Sequence, residues 1–325
     1  MKHRLILFIL STFGIAGWLQ AQDAPLLPMK PRVHFGAKLE PEGILVGAGQ
    51  ANKNSFDEFT KAVGPGLEPM IYMDYLGLKK ENLASRFQEK AAAWNASNML
   101  TIPQIGLSMT TDGKPELHYE QDVVAGKLDQ AIESLVAELE RYNRPVYLRL
   151  GYEFNGHWNG YESENFKLAW IKVAKAIRAR FLNVALVWCF ALDGTNKNFM
   201  PFYPGDEWVD WWAVDLFSEK HFADSSTKAF MDSALVHRKP VMIGESTPRR
   251  VSVDLGQESW NRWFVPYFNF MRQHPHVKGF SYINWNWAGT NWPDWGNGRL
   301  QDNELVRKKF IQEISRPEYL KGLKK

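Results

Sequence analysis

Residues 126–153 read Gly126-Lys-Leu-Asp-Gln-Ala-Ile-Glu-Ser-Leu-Val-Ala-Glu-Leu-Glu-Arg-Tyr142, then Asn-Arg, then Pro145-Val-Tyr-Leu-Arg149-Leu-Gly-Tyr152-Glu153. In the first half Leu128, Ile132, Leu135, Val136 and Leu139 recur at steps of three and four, one apolar face of a helix. The second half is a short β-branched and aromatic run bounded by Pro and Gly, the mark of a strand. The same alternation extends in both directions. Residues 164–181 put Phe166, Ala169, Trp170, Val173 and Ile177 on one helical face, and residues 304–314 supply a last helix. Strand-like runs occur at Ile44–Gly49, Pro69–Tyr75, Met99–Leu107, Pro145–Glu153, Val184–Ala191, Trp208–Phe217, Pro240–Glu245 and Lys278–Trp285. Alternating strands and helices build a parallel sheet, and eight such units match a closed (β/α)8 TIM barrel, which typically takes about 250 residues. A doubly wound open sheet is the alternative. No long Pro/Gly/Ser linker, charge block or short-period repeat divides the chain, so a single domain over residues 22–325 is expected.

The amino terminus reads differently. Met-Lys-His-Arg is followed by an apolar run from Leu5 to Leu19 and the small-residue stop Leu19-Gln20-Ala21. That is the layout of a secretory signal peptide over residues 1–21, too short for a comfortable membrane span of ~20 apolar residues. The mature chain is expected to be secreted or periplasmic, off the membrane, and monomeric. A net charge of +3 in 325 residues gives no sign of a nucleic-acid partner. The one cysteine, Cys189, sits in the apolar run Val184-Ala-Leu-Val-Trp-Cys-Phe and reads as a small buried hydrophobe. No His-Glu-x-x-His pattern or Cys cluster marks a metal site. Val46-Gly-Ala-Gly-Gln lacks the Lys-Ser/Thr of a phosphate loop and reads as a strand-end turn, so no cofactor is expected.

Barrel enzymes carry their chemistry at the carboxyl ends of the strands. The fourth run ends in Glu153 and the seventh, Lys239-Pro-Val-Met-Ile-Gly-Glu245, in Glu245. With strict alternation, Arg149, Gly151 and Glu153 share a face, Gly151 leaving room between the other two. Val241, Ile243 and Glu245 likewise share a face, with Glu245 at the mouth. An arginine inside a barrel requires acidic partners, and a nearby pair of carboxylates supplies them. Two such carboxylates are what glycosidic cleavage needs: one donates a proton to the leaving oxygen, while the other attacks the anomeric carbon or activates water.

Arg149-Leu-Gly-Tyr-Glu153-Phe-Asn155-Gly-His-Trp158 resembles the acid/base segment of glycoside hydrolase family 26. Tyr203-Pro-Gly-Asp206-Glu-Trp-Val-Asp210-Trp resembles the family's approach to strand six, and Lys239-Pro-Val-Met-Ile-Gly-Glu245 its nucleophile segment. The likeness runs over roughly residues 31–315. It implies a (β/α)8 barrel, Glu153 as general acid/base, Glu245 as nucleophile, net retention, and substrates among β-mannans, β-1,3-xylans and mixed-linkage β-glucans. Two departures stand out. The family places His before the acid/base where this chain has Tyr152. Strand six often delivers a Tyr to the nucleophile, where this chain has Asp215-Leu-Phe217-Ser218.

Around the two glutamates, Arg149, Tyr152, Asn155, Trp158, Phe217, His221, Trp285, Trp287 and Trp292 are the expected substrate-binding residues. Trp285 and Trp287 end strand eight on one face, and Trp292 and Trp295 follow in a polar loop, where aromatic rings can stack on pyranose faces. Trp188, Trp211 and Trp263 read as core. Arg249 and Arg250 follow the nucleophile strand and are read either as a solvated loop or as a bidentate grip on a uronic acid. The expected partner is a polysaccharide or oligosaccharide. A non-catalytic glycan-binding barrel is the competing reading. A barrel isomerase or lyase would need a metal, phosphate grip or catalytic Lys, and none is evident.

Overall fold

The structure, a computed structural model, describes residues 23–322 other than 50–52, 80, 97–100, 111–113 and 181. The expected signal peptide, residues 1–21, lies outside them. Nine strands follow one another among the described residues: β1 Ile44–Gly49, β2 Ile71–Gly77, β3 Ile102–Ser108, β4 Val146–Leu150, β5 Val184–Ala191, β6 Trp211–Leu216, β7 Val241–Ser246, β8 Val277–Tyr282 and the short β9 Tyr319–Leu320. The first eight fall on the eight apolar runs, displaced by a few residues at some ends. Each pairs in parallel with the next, and β1 pairs with both β2 and β8, so the sheet closes and the open-sheet alternative is excluded. β9 pairs with Ile44 and Leu45 of β1, below the start of β2, whose first partner there is Gly47.

Helices Lys53–Val63, Leu83–Ala96, Asp129–Tyr142, Ser163–Ala179, Ser225–Val236, Val265–Gln273 and Glu304–Ile314 pack around the strands. The expected stripes face inward: Ile132, Leu135, Val136 and Leu139 from one helix, Phe166, Ala169, Trp170, Val173 and Ile177 from the next. Each Ile, Leu, Val or Phe among them contributes roughly 1.5–3 kcal/mol of burial. Between β5 and β6 the regular structure is only a 3-10 turn, Met200–Phe202. Aromatic rings cover the sheet there instead: Tyr203 lies 4.8 Å from Trp188 and 5.1 Å from Trp212, and Phe199 5.5 Å from Phe190. Trp188, Trp211 and Trp263 are core, as expected.

Alternation along each strand sorts the chain into two cores. Leu148, Leu186, Trp188, Phe190 and Val214 face the helices. Tyr147, Ala185, Val187, Cys189, Trp211 and Ala213 fill the barrel. The chain before β1 plugs the lower end: Tyr147 Oη donates to the Leu39 carbonyl (2.6 Å), Trp211 Nε1 to Lys38 (2.7 Å) and Lys278 Nζ to Pro41 (2.9 Å). Farther upstream, residues 23–33 strap the outside. Ala24 N donates to Asn261 Oδ1, Leu27 N to Asn269 Oδ1, and Arg272, itself paired with Glu313, to the Leu27 carbonyl at 2.6 Å.

Candidate active site

Above the plug the barrel interior turns polar. Arg149 of β4 is 0% exposed and spans the lumen. Its Nη1 donates to Glu245 Oε1 at 2.9 Å, and its Nη2 to Asp215 Oδ2 at 2.7 Å and to Cys189 Sγ at 3.2 Å. The thiol in turn lies 3.3 Å from Asp215 Oδ1, so Cys189 is part of this polar layer as well as a small buried residue. Gln104 of β3 donates to the Gly244 carbonyl (2.8 Å) and accepts from Ser281 Oγ (2.7 Å), tying β3, β7 and β8 together beneath the mouth.

Glu245 reaches Arg149 by a route that simple alternation does not give. Val241 and Ile243 face the helices, not the lumen, so the shared face expected for Val241, Ile243 and Glu245 does not exist. Between Ile243 and Ser246 the strand carries one residue more than its neighbours. Val214 and Leu216 on β6, and Phe280 and Tyr282 on β8, bracket a single residue where β7 has both Gly244 and Glu245. This bulge turns both residues inward. The Glu245 amide then serves the Asp215 carboxylate. Gly244 is required beside it, since a Cβ there would lie 2.5 Å from Asp215 Oδ1 and 3.1 Å from Arg149 Nε.

Glu153 also departs from the expected geometry. β4 ends at Leu150, and both Gly151 and Glu153 have φ of 52°. The left-handed turn sends Gly151 outward, where a Cβ would meet Phe166 at 2.7 Å and Met109 at 2.8 Å, so it does not separate Arg149 from Glu153. A positive φ is costly for a glutamate and persists where surrounding bonds over-determine it. Here Asn159 Nδ2 donates to the carbonyls of Tyr152 and Glu153, both at 3.0 Å. Trp158 Nε1 donates to Glu153 Oε2 at 2.8 Å.

The two glutamates therefore have different surroundings. Glu245 accepts a charge-assisted hydrogen bond from a buried guanidinium. Burial, reinforced by the charges of Asp215 and Glu245, pushes Glu153 well above the usual carboxylate range, against Arg149 and Trp158. A carboxyl in that state keeps its proton where an ordinary glutamate has lost it, as a general acid must. Because the Trp158 bond favours the charged form, Trp158→Phe removes that pull and raises the Glu153 pKa further. The basic limb of the activity–pH profile is expected to move up by about one pH unit, the effect of one hydrogen bond to a charged group. A basic limb that stays in place would mean that Trp158 does not tune the Glu153 carboxyl.

The other expected binding residues divide into two groups. Tyr152 lines the mouth under the Arg149 guanidinium, 5.2 Å from its ring centroid. Trp285 is half-buried against Phe217, Ile283 and Met73. β8 stops at Tyr282, so Trp285 and Trp287 lie beyond the strand, where Asn286 bridges back to Asn297. Trp287 is 7% exposed and packs 4.7 Å from Trp295, forming the base of an aromatic wall whose open ring is Trp292, 55% exposed. Asn155, by contrast, is spent on the scaffold. Its amide donates to the carbonyls of Ala191 (2.8 Å) and Asn196 (3.0 Å) and accepts from Ala191 N (2.9 Å). His221 is buried, with Nδ1 receiving the Phe217 amide at 3.2 Å and Nε2 3.3 Å from Asp193.

Arg249 pairs bidentately with Asp193 (2.6 and 2.8 Å) and lies over the Trp295 and Phe217 rings, and Arg250 pairs with Asp294 at 2.8 Å. Both cations are thus matched within the chain, Arg250 in a solvent-exposed pair. Asp215, Gln104, Asp193 and Tyr75 were not singled out from sequence. For Asp215 a signal existed, since alternation with Trp211 and Ala213 places an acid inside the barrel opposite Arg149.

A (β/α)8 barrel whose mouth presents glutamates from the fourth and seventh strands, braced by one buried arginine, is the framework of a glycoside hydrolase. The chain belongs to glycosyl hydrolase family 26, whose model matches residues 90–287. It is 29% identical over 322 residues to the beta-1,3-xylanase TXYA of a Vibrio species, covering 87% of this chain and 67% of that protein. It is 28% identical over 318 residues to a beta-1,3-xylanase of an Alcaligenes species, covering 87% and 66%. The chain thus spans about two thirds of the length of these relatives. Among solved structures, a modular endo-beta-1,4-mannanase from Cellulomonas fimi shares the fold with a TM-score of 0.63 and 14% identity, over 87% of this chain and 72% of that one.

Proposed function

We propose that this protein is a retaining hydrolase of β-1,3-xylan, with Glu153 as general acid/base and Glu245 as nucleophile. The observation that carries the reading is the division of labour around Arg149: one glutamate held by the guanidinium, the other kept protonated across the mouth. In the first step Glu153 gives its proton to the glycosidic oxygen as that bond breaks. A Glu245 oxygen bonds to the anomeric carbon, forming a glycosyl-enzyme. In the second step Glu153, now a carboxylate, takes a proton from water, whose oxygen attacks the anomeric carbon and releases Glu245. Trp158, Trp285 and the exposed Trp292, backed by the buried Trp287, offer rings to the sugars on either side. The choice of β-1,3-xylan among the family's substrates rests on the two curated relatives. Secretion, with loss of residues 1–21, rests on the basic start and apolar run of that segment.

The test is release of reducing ends from β-1,3-xylan, β-mannan and mixed-linkage β-glucan by the protein from Gln22 on, with proton NMR of the first anomer formed. Release from β-1,3-xylan with β-configured product is expected. Cleavage of mannan alone would overturn the substrate, an α-product would overturn retention, and binding without cleavage of any polymer would favour the glycan-binding barrel.

A further inference from the structure

Four successive loops at the mouth, those after β5, β6, β7 and β8, are joined at one side chain. Arg249, in the turn after β7, places its two Nη atoms on the carboxylate of Asp193, just after β5, at 2.6 and 2.8 Å. Its guanidinium lies 5.7 Å from the ring of Phe217 at the end of β6 and 4.9 Å from the ring of Trp295 in the loop after β8. The arginine side chain is only 13% exposed. Asp193 is fixed from a second side. The Phe217 amide donates to His221 Nδ1, which leaves the ring proton on Nε2, 3.3 Å from Asp193 Oδ1. Burial opposes the charge of Asp193, but the bonds from His221 and Arg249 outweigh it and hold the carboxyl well below the usual carboxylate range.

The aromatic wall leans on this pair. Trp295 is half-buried and packs 4.7 Å from Trp287 and 6.5 Å from the exposed Trp292. The loop that carries the three rings has little regular structure of its own, a bridge from Asn286 to Asn297 and the short turn Pro293–Trp295. Its rings therefore depend on what they rest against. A guanidinium whose two Nη atoms are fixed by one carboxylate offers Trp295 a flat, charged face at a set height.

We propose that the Asp193–Arg249 pair is a clamp that sets the aromatic wall, making Arg249 a positioning and specificity-determining residue that acts through Trp295 on the sugars lying along the wall. The proposal rests on the reading of this wall as a sugar-binding surface of a hydrolase. Stacking on sugar rings away from the scissile bond is gained only by substrates long enough to reach the wall, whereas bond cleavage itself falls to the two glutamates. Loosening the clamp therefore erodes the advantage of long chains and leaves the chemistry intact.

Two measurements test this on Asp193→Asn, Arg249→Leu and the double variant. The first needs no substrate. With fluorotryptophan incorporated, the Trp295 fluorine resonance is identified by its loss in Trp295→Phe. Asp193→Asn, which acts on Trp295 through Arg249, should shift or broaden that resonance; an unmoved resonance overturns the clamp. The second compares kcat/KM on β-1,3-xylohexaose with kcat/KM on the shortest dinitrophenyl β-1,3-xylo-oligoside that the wild type turns over. Each single variant is expected to lose about three- to tenfold on the hexaose, the worth of one aromatic contact, and to match the wild type on the short substrate. The double variant should lose no more than either single one, because both remove the same pair. Equal losses on the two substrates, an unchanged kcat/KM on the hexaose, or additive losses in the double variant overturn the role. Failure of the underlying reading is distinguishable, because the wild type would then cleave neither substrate while the Trp295 resonance still answered to Asp193→Asn.

Discussion

Glu245→Ala is expected to cut hydrolysis by about ten-thousandfold or more, the scale on which removal of a covalent nucleophile acts. On the proposed mechanism, the substitution deletes the atom that bonds to the anomeric carbon and leaves Glu153, with its proton, unable to complete the first step. It also opens a small space lined by the Arg149 guanidinium, suited to a small anion. Added azide should therefore restore turnover on an activated aryl glycoside and yield a glycosyl azide of inverted configuration, identifiable by NMR. The fold should survive, because Arg149 keeps Asp215 at 2.7 Å. Full activity in the variant, or azide rescue giving the retained configuration, would place the nucleophile elsewhere.

Arg149→Leu should have the largest effect on stability, about 3–5 kcal/mol, the cost of removing one partner from a buried charge pair. The side chain is wholly buried and reaches two carboxylates, so leucine leaves both Asp215 and Glu245 facing an apolar group. For a domain of this size that corresponds to a drop in Tm of about 5–8 °C. The loss should depend on pH in a definite direction. Burial pushes Asp215 up to about 7 even with Arg149 pulling it down, so loss of the cation raises its folded-state pKa further above the unfolded one. The stability deficit is therefore small where Asp215 can take up a proton and grows as pH rises through and above 7. Thermal unfolding at pH 5 and pH 8 should show a clearly larger deficit at pH 8. Equal deficits at both pH values would mean that the arginine does not neutralise the two acids.

The barrel was legible in the sequence because a parallel strand covered by helices on one side and a lumen on the other is apolar on both faces. Such runs stand out whatever their exact bounds, as at Val184–Ala191. The fifth unit shows where the pattern fails. A helix is missing after β5, and rings such as Phe199 and Tyr203, which cover the sheet instead, have no periodicity to read. Glu153 and Glu245 were legible as strand-end acids, but not the means by which each is aimed. Strict alternation assumes an uninterrupted period of two, whereas the extra residue of β7 and the left-handed Gly151 and Glu153 each shift its phase. Asn155 and His221 show the converse. A polar residue near a strand-end glutamate reads as a sugar contact, yet Asn155 is already committed to backbone and His221 to the Phe217 amide and Asp193.

The closure of β1 against β8 sets the order in which this molecule can be completed. Ala48 pairs with Tyr282, more than two hundred positions later, and the strap at Leu27 is held by Arg272. At ~5–20 residues per second a ribosome delivers the closing strand about 10–50 s after the opening one. Throughout that interval β1, apolar on both faces, offers an unpaired edge. Loop-closure entropy grows only with the logarithm of the span, so the delay costs little in final stability. Its cost falls on the nascent chain, whose first strand must be shielded until its last partner arrives.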